Sequence, residues 1–406
     1  MKELKPSYTP LFAPTRLGNL EVKNRFVRSA TQEGMAAETG EVTDDIVKMY
    51  QKLARGDVGL IISGFMYVDP LGRVLKHMLG IHDDKMISGL RKVVESVHQA
   101  GGKMVFQLGH AGRQTTKEVI GRTPIGASDE DRDPINFAKP KKMTEGQIKE
   151  AIQAFGKAAS RSLEAGVDGI QIHAGHGYLV NQFLSPFFNR RTDYWGGSEE
   201  NRFRFLREVI LETRRVLPKG MPILVKLSTN DYTPREGITP PLATRYAQWL
   251  AEMGIDGLEL TCGSGMYSAF NMSRGEVPVR ELMKGFVWWK KPLARVVLSR
   301  MAGKYDLQEG YNLAAAQMIK PAVGKVPVIL VGGLRKVSQM EEILEKGYAD
   351  LISMCRPFIR EPFLVRSIKE GKMSAVSCVS CNKCLASSGN NMPVRCYAKR
   401  LPSSSD

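Results

Sequence analysis

The sequence predicts an α/β fold of the (β/α)8 type, a TIM barrel, with a short Cys-rich C-terminal extension. Three observations carry this. Eight short apolar runs recur along the 406 residues, segments with apolar positions at helical spacing separate them, and glycines and polar residues gather where the runs end. The runs are Phe26–Ala30, Val58–Ser63, Lys103–Leu108, Asp168–His173, Pro222–Ser228, Asp256–Thr261, Val326–Gly332 and Asp350–Cys355. Among the separating segments, Asp84–Ala100, Thr144–Ala165, Glu199–Leu217 and Pro241–Met253 read as helices. A doubly wound sheet is the competing architecture, but no Gly-x-Gly-x-x-Gly follows an early run. The domain reading is a barrel over residues 1–370 and the extension over 371–406.

Composition bounds the class. Hydrophobic residues make up 43% and charged residues 25% of the chain, as in ordinary globular proteins. Met1 to Pro6 is polar with no apolar core behind it, and the longest apolar runs are far shorter than a membrane span. A cytoplasmic protein without a membrane partner is therefore expected. The net charge of +16 favours anionic ligands. Its Lys and Arg residues are scattered and not interleaved with aromatics, so a phosphate-bearing cofactor is expected rather than a nucleic acid.

In a barrel, chemistry belongs at the C-terminal ends of strands. The first three runs end at Thr31 and Gln32, at Gly64, and at Gln107 to Arg113. Gln107 offers both a donor and an acceptor to a pyrimidine-like edge. The fourth run delivers His173, His176 and Tyr178 within six residues. Imidazole N–H groups can hold an electron-rich oxygen and a phenol can give up a proton; a His-x-x-His metal site is the alternative. The fifth run carries Lys226, which is costly inside a barrel unless paired. An anionic ring system would pair it, as would an interior carboxylate such as Glu33 or Glu259. The sixth run ends at Thr261. After the seventh and eighth runs come Gly332-Gly333 and Cys355-Arg356. This is the usual barrel phosphate position, where glycines admit backbone N–H groups and an arginine adds a charge-assisted bond.

Several signatures together resemble the Old Yellow Enzyme family of FMN-dependent oxidoreductases. They include Gln107-Leu-Gly-His-Ala-Gly-Arg113, His173-Ala-Gly-His176-Gly-Tyr178, Arg191-Thr-Asp with Gly196-Gly-Ser198, Glu200-Asn-Arg202 and Val331-Gly-Gly333. The resemblance implies a barrel holding FMN, reduced by NADH or NADPH and reoxidised by an α,β-unsaturated carbonyl compound. It implies that His173 and His176 grip the substrate oxygen and that Tyr178 protonates the α carbon. Gln107 and Lys226 would hold the flavin's pyrimidine edge, Ala30, Thr31 and Gly64 would line its ring, and Gly332, Gly333, Cys355 and Arg356 would surround its phosphate. Gln32 stands where relatives often carry threonine or cysteine. The segment from Thr261 to Tyr311, with Met266-Tyr267, Phe286 and Trp288-Trp289, would roof the site, or else serve packing or a homo-oligomer contact.

Cys378, Cys381, Cys384 and Cys396 have spacing suited to four thiolates around a 4Fe-4S cluster or a zinc ion. They resemble the cluster segment of the 2-enoate and 2,4-dienoyl-CoA reductase branch, without that branch's FAD domain. Lys383, Ser387 to Asn391 and Pro393 between them are expected to form a flexible loop, and Leu401 to Asp406 a disordered tail. An ene-reductase is the leading functional expectation. A dienoyl-CoA or enoate reductase or an amine dehydrogenase follows within the same class. A tRNA dihydrouridine synthase is disfavoured because its catalytic cysteine loop is missing.

Overall fold

In this computed structural model, described residues run from 10 to 398 except 130, 131, 134–137 and 287. The readings made on Met1 to Pro6 and on Leu401 to Asp406 lie outside them. Eight parallel strands close into a ring: β1 (Phe26–Arg28), β2 (Leu60–Ile62), β3 (Met104–Gly109), β4 (Gly169–Ala174), β5 (Ile223–Ser228), β6 (Gly257–Thr261), β7 (Val328–Val331) and β8 (Leu351–Met354). Each pairs with its sequence neighbours and β8 pairs with β1, so no edge is left open. A helix follows every strand: α1 (Asp44–Arg55), α2 (Ile87–Gln99), α3 (Glu145–Glu164), α4 (Glu199–Val216), α5 (Pro240–Glu252), α6 (Leu313–Ile319), α7 (Val337–Glu345) and α8 (Leu364–Lys369). The predicted TIM barrel is the observed one.

The pattern of burial shows why these segments fold this way. In α1 the buried residues are Ile46, Tyr50, Leu53 and Ala54, one stripe of a helix laid on the strands. The strands are buried on both faces, which is why they read as unbroken apolar runs. Inside the ring, Val27, Leu60, Ile62, Val105, Leu224, Ile329 and Leu351 form a second core. An antiparallel hairpin, Thr15–Leu17 with Leu20–Val22, plugs its lower end with Leu17, Leu20 and Val22. Among the described residues no helix is long and apolar enough to cross a membrane.

Seven of the eight observed strands begin one or two residues later than the apolar runs suggest, and one repeated device marks three of the starts. Asp168, just before β4, accepts a 2.8 Å hydrogen bond from the Met104 N–H that opens β3. Asp256, before β6, accepts at 2.9 Å from Ile223 N–H at the start of β5. Asp350, before β8, accepts at 2.7 Å from Val328 N–H at the start of β7. Each carboxylate belongs to a turn, where it fixes the register of the preceding strand. Asp168 also takes His98 Nε2 at 2.7 Å and Lys103 Nζ at 2.9 Å.

The extension departs from expectation. Instead of a flexible loop, residues Lys383–Gly389 form a short helix, α9, with Ala386 and Ser387 buried. It is held on the barrel mouth by Asn390 Nδ2, which donates to Glu281 O at 2.9 Å and to Ala386 O at 2.8 Å. Val394 N–H donates to Glu33 O at 2.8 Å. A polar composition read as mobility here supplies the bonds that dock the segment.

Replacing Asp168 with alanine strands the Met104 N–H and two side-chain partners. The expected loss is about 1–3 kcal/mol of stability, measured by urea unfolding, with Glu164→Ala on the exposed helix end as a near-neutral control.

Candidate active site

The C-terminal ends of the strands surround a cavity of about 250 Å³. Its wall includes Ala30, Thr31, Gln107, His173, His176, Tyr178, Lys226, Gly332, Gly333, Cys355 and Arg356, brought together from six of the eight strand ends. Of the barrel residues given a catalytic or flavin-binding role from sequence, Gly64 alone stays off this wall. Its N–H donates to Glu33 Oε1 at 2.8 Å, and a Cβ there would strike that carboxylate at 2.4 Å. Gly64 thus seats a buried Glu33 that Tyr50 also hydrogen-bonds.

The His-Ala-Gly-His-Gly-Tyr segment folds back over the end of β4. His176 and Gly177 adopt φ of 61° and 77°, and a Cβ on Gly177 would meet Ser264 Oγ at 2.7 Å. A left-handed histidine is uncommon and needs outside support. Ser228 Oγ accepts its N–H at 3.2 Å, while its carbonyl accepts Gln114 Nε2 at 2.6 Å. The turn brings the three rings together: His173 lies 5.1 Å from His176 and 5.0 Å from Tyr178, centroid to centroid. Phe65 packs edge-on to Tyr178 at 4.8 Å.

Protonation follows from these contacts. His173 Nδ1 accepts at 3.3 Å from Gly175 N–H, so the neutral ring carries its proton on Nε2. Burial, His176 and Lys226 hold His173 well below the ordinary histidine pKa, and burial and Lys226 do the same to His176. Both are neutral near pH 7. His176 Nε2 shares a 2.7 Å hydrogen bond with Thr261 Oγ1. Burial pushes the Tyr178 phenol up to about 12, so it stays protonated, and no residue among those described hydrogen-bonds its hydroxyl.

Beneath the rings lies a polar network inside the barrel. Lys226 Nζ stands 3.4 Å from Glu259 Oε2 and donates to Ser29 Oγ at 2.7 Å. Of the two carboxylates weighed from sequence, Glu259 is the partner. Gln107 Nε2 donates to Gln171 Oε1 at 2.6 Å, Gln171 Nε2 to Glu259 Oε2 at 3.0 Å, and Ser353 Oγ to Glu259 Oε1 at 2.8 Å. Gln171, Ser29 and Ser353 are site residues that sequence reading missed. Their signal was present as polar residues inside apolar runs.

At the other end, Gly332 and Gly333 have φ of 151° and 71°, and a Cβ on Gly333 would meet Gln308 O at 2.8 Å. Arg335, which sequence reading also missed, lines the cavity here beside Arg356. Two buried polar atoms on residues lining the cavity lack protein partners, Gln32 Nε2 and Arg335 Nε. Donors, a glycine cradle and paired guanidiniums suit an elongated ligand with an anionic end, and so fit a flavin mononucleotide. The long segment after β6 contributes Met272 and Ser273 to the wall and buries Phe270, but Trp288 and Trp289 are 81% and 62% exposed and do not roof the cavity.

Cys378, Cys381, Cys384 and Cys396 line one small second cavity beside Arg356 and Arg360. Among the described residues no three His, Cys, Asp or Glu side chains are grouped to hold a metal ion. The four thiols thus converge without forming a ligand set.

Comparison with known proteins agrees with this geometry. The model of the NADH:flavin oxidoreductase / NADH oxidase family matches residues 10–296 and 279–374. The chain is 31% identical over 380 residues to a 4,4'-dithiodibutanoate disulfide reductase of Rhodococcus erythropolis, covering 92% of each. It is 33% identical over 379 residues to an NADH oxidase of Thermoanaerobacter brockii, covering 92% of this chain and 52% of that one. A solved 2-naphthoyl-CoA reductase complex superposes with a TM-score of 0.83 at 24% identity, over 95% of this chain and 56% of that one, a likeness of fold. The chain therefore spans nearly all of one relative and about half of the other two.

Removing one member of the interior pair isolates its role. Lys226→Met leaves Glu259 charged and buried, and a loss of about 3–5 kcal/mol is expected in urea unfolding. Adding Glu259→Gln to Lys226→Met should recover most of that loss.

Proposed function

The chain belongs to the NADH:flavin oxidoreductase / NADH oxidase family, the Old Yellow Enzyme family, and from that premise we propose that it is an FMN-dependent ene-reductase. Its substrates on this reading are α,β-unsaturated carbonyl compounds, with NADH or NADPH as reductant. The observation that carries the reading is the convergence of two neutral imidazoles and one protonated phenol on a single cavity.

When bound, FMN would supply the two-electron (hydride) chemistry that connects the nicotinamide to the substrate's β carbon. Gln107 and Lys226 would hold the pyrimidine edge of the ring, Ala30 and Thr31 would line it, and Gly332, Gly333, Cys355 and Arg356 would surround the phosphate. His173 donates Nε2–H to the substrate oxygen and His176 supports it from the Thr261 side. Together they stabilise the negative charge that grows on that oxygen as the β carbon is reduced. Tyr178 O–H then delivers its proton to the α carbon, and solvent restores it. Because the imidazoles are already neutral, they hold the oxygen by hydrogen bonds without moving their own protons.

An organic disulfide is a second acceptor class, favoured by the relative that matches end to end and is named a disulfide reductase. The same hydride and proton would then yield two thiols. A metal at the four cysteines would require their thiols, which share one small cavity without being grouped as a ligand set, to close around it. Iron and zinc assays on anaerobically purified protein check it: about four irons per chain would establish a 4Fe-4S cluster, and absence of both metals would leave plain thiols.

Tyr178→Phe is expected to slow alkene reduction by about 10²–10⁴-fold while flavin reduction by NAD(P)H keeps its rate, read by stopped-flow absorbance. An unchanged alkene rate would remove the proton-donor assignment. With the phenol raised to about 12, the wild-type alkene step should stay flat from neutral pH upward and fall only as Tyr178 ionises.

A further inference from the structure

The cysteine segment lines the main cavity with Cys384, Leu385, Ser388 and Val394, and it also reaches the two arginines there through residues that are not cysteines. Arg335 Nη2 donates to Ser380 Oγ and Arg356 Nη1 to Asn382 Oδ1, each at 2.5 Å. Ser380 and Asn382 alternate with Cys378, Cys381 and Cys384 in sequence, yet they are only 2% and 1% exposed. Both sit in the left-handed region, with φ of 55° and 53°, where a non-glycine residue persists only if its surroundings hold it. Asn382 Nδ2 donates to Ser273 O at 2.7 Å and Glu276 O at 3.0 Å, and Ser380 O accepts from Glu276 N–H at 3.0 Å.

The arginines they hold are unusual. Arg335 is 7% exposed, and its pKa is lowered by burial and by the nearby Arg356. No carboxylate among the described residues pairs with either guanidinium. Arg335 Nε has no partner at all. Two adjacent cations, one of them buried and neither ion-paired to a carboxylate among the described residues, form a site for a dianion, and they stand beside the Gly332-Gly333 cradle.

We propose that Ser380 and Asn382 are positioning residues for the cofactor phosphate: the Cys378–Cys384 loop presents them to Arg335 and Arg356 and so fixes a two-arginine anion site. The extension is then part of the cofactor pocket rather than an appendage to it. Whatever sets the conformation of the cysteine loop also sets the grip on the phosphate.

The proposal rests on the flavin reading above, and FMN and riboflavin separate the two. Riboflavin has the same ring and ribityl chain but no phosphate. Apoprotein is titrated with each ligand by quenching of flavin fluorescence. Ser380→Ala and Asn382→Ala are each expected to raise the FMN Kd about tenfold and to leave the riboflavin Kd within about twofold. In an Arg335→Met background, Ser380→Ala should have no further effect on FMN. Equal losses for both ligands would mean a merely structural role, and an unchanged FMN Kd or additive effects in the double variant would also overturn the proposal. A wild-type apoprotein that binds neither flavin would overturn the flavin reading together with it. Ser380→Ala removes one oxygen, so the comparison survives if Asn382→Ala folds poorly.

Discussion

The site depends on a charge pair held inside the barrel. Lys226 and Glu259 occupy paired register positions on β5 and β6, 3.4 Å apart and removed from water. Desolvating two ions costs several kcal/mol each, and only good geometry and further hydrogen bonds offset it. Here Ser29 completes the ammonium, and Gln171 and Ser353 complete the carboxylate. The pair anchors the network that ends at Gln107, and its cation helps keep His173 and His176 neutral. A mechanism in which imidazoles donate hydrogen bonds while a phenol donates the proton needs that division of protonation states.

Around this centre the fold separates stability from chemistry by position. The lower end carries the aspartates that fix strand starts and the hairpin that plugs the ring. The upper end carries left-handed residues, partnerless polar atoms and crowded cations. Each is unfavourable in isolation, and the bonds of neighbouring elements hold it in place. Strain collects where a ligand would relieve it.

The C-terminal extension extends this logic beyond the barrel. Leu385, Ser388 and Val394 line the main cavity, while the loop before them holds the two arginines. The segment completes the pocket and also gathers four thiols around a smaller cavity, with Cys384 lining both. This links the cofactor end of the site to the cysteine loop through the Arg335–Ser380 and Arg356–Asn382 hydrogen bonds.

Much was determined by the sequence itself. Barrel class followed from runs buried on both faces, because a parallel sheet covered by helices leaves no polar face to interrupt them. His173, His176 and Tyr178 were legible because three chemical groups within six residues share one turn, whose geometry is local. Lys226 was legible because a lone cation in an apolar run demands a partner. Tertiary structure decided the rest. Which carboxylate answers Lys226 depends on strand register, and Glu33 and Glu259 were equally plausible until β5 met β6. Gln171, Ser29 and Ser353 acquired meaning only when two strands and a loop placed them around one ion pair. Arg335, Ser380 and Asn382 lie in segments whose local pattern says only turn. Hydrogen bonds across 45 and 26 residues turned them into a site, and such long-range partners leave no trace in local composition.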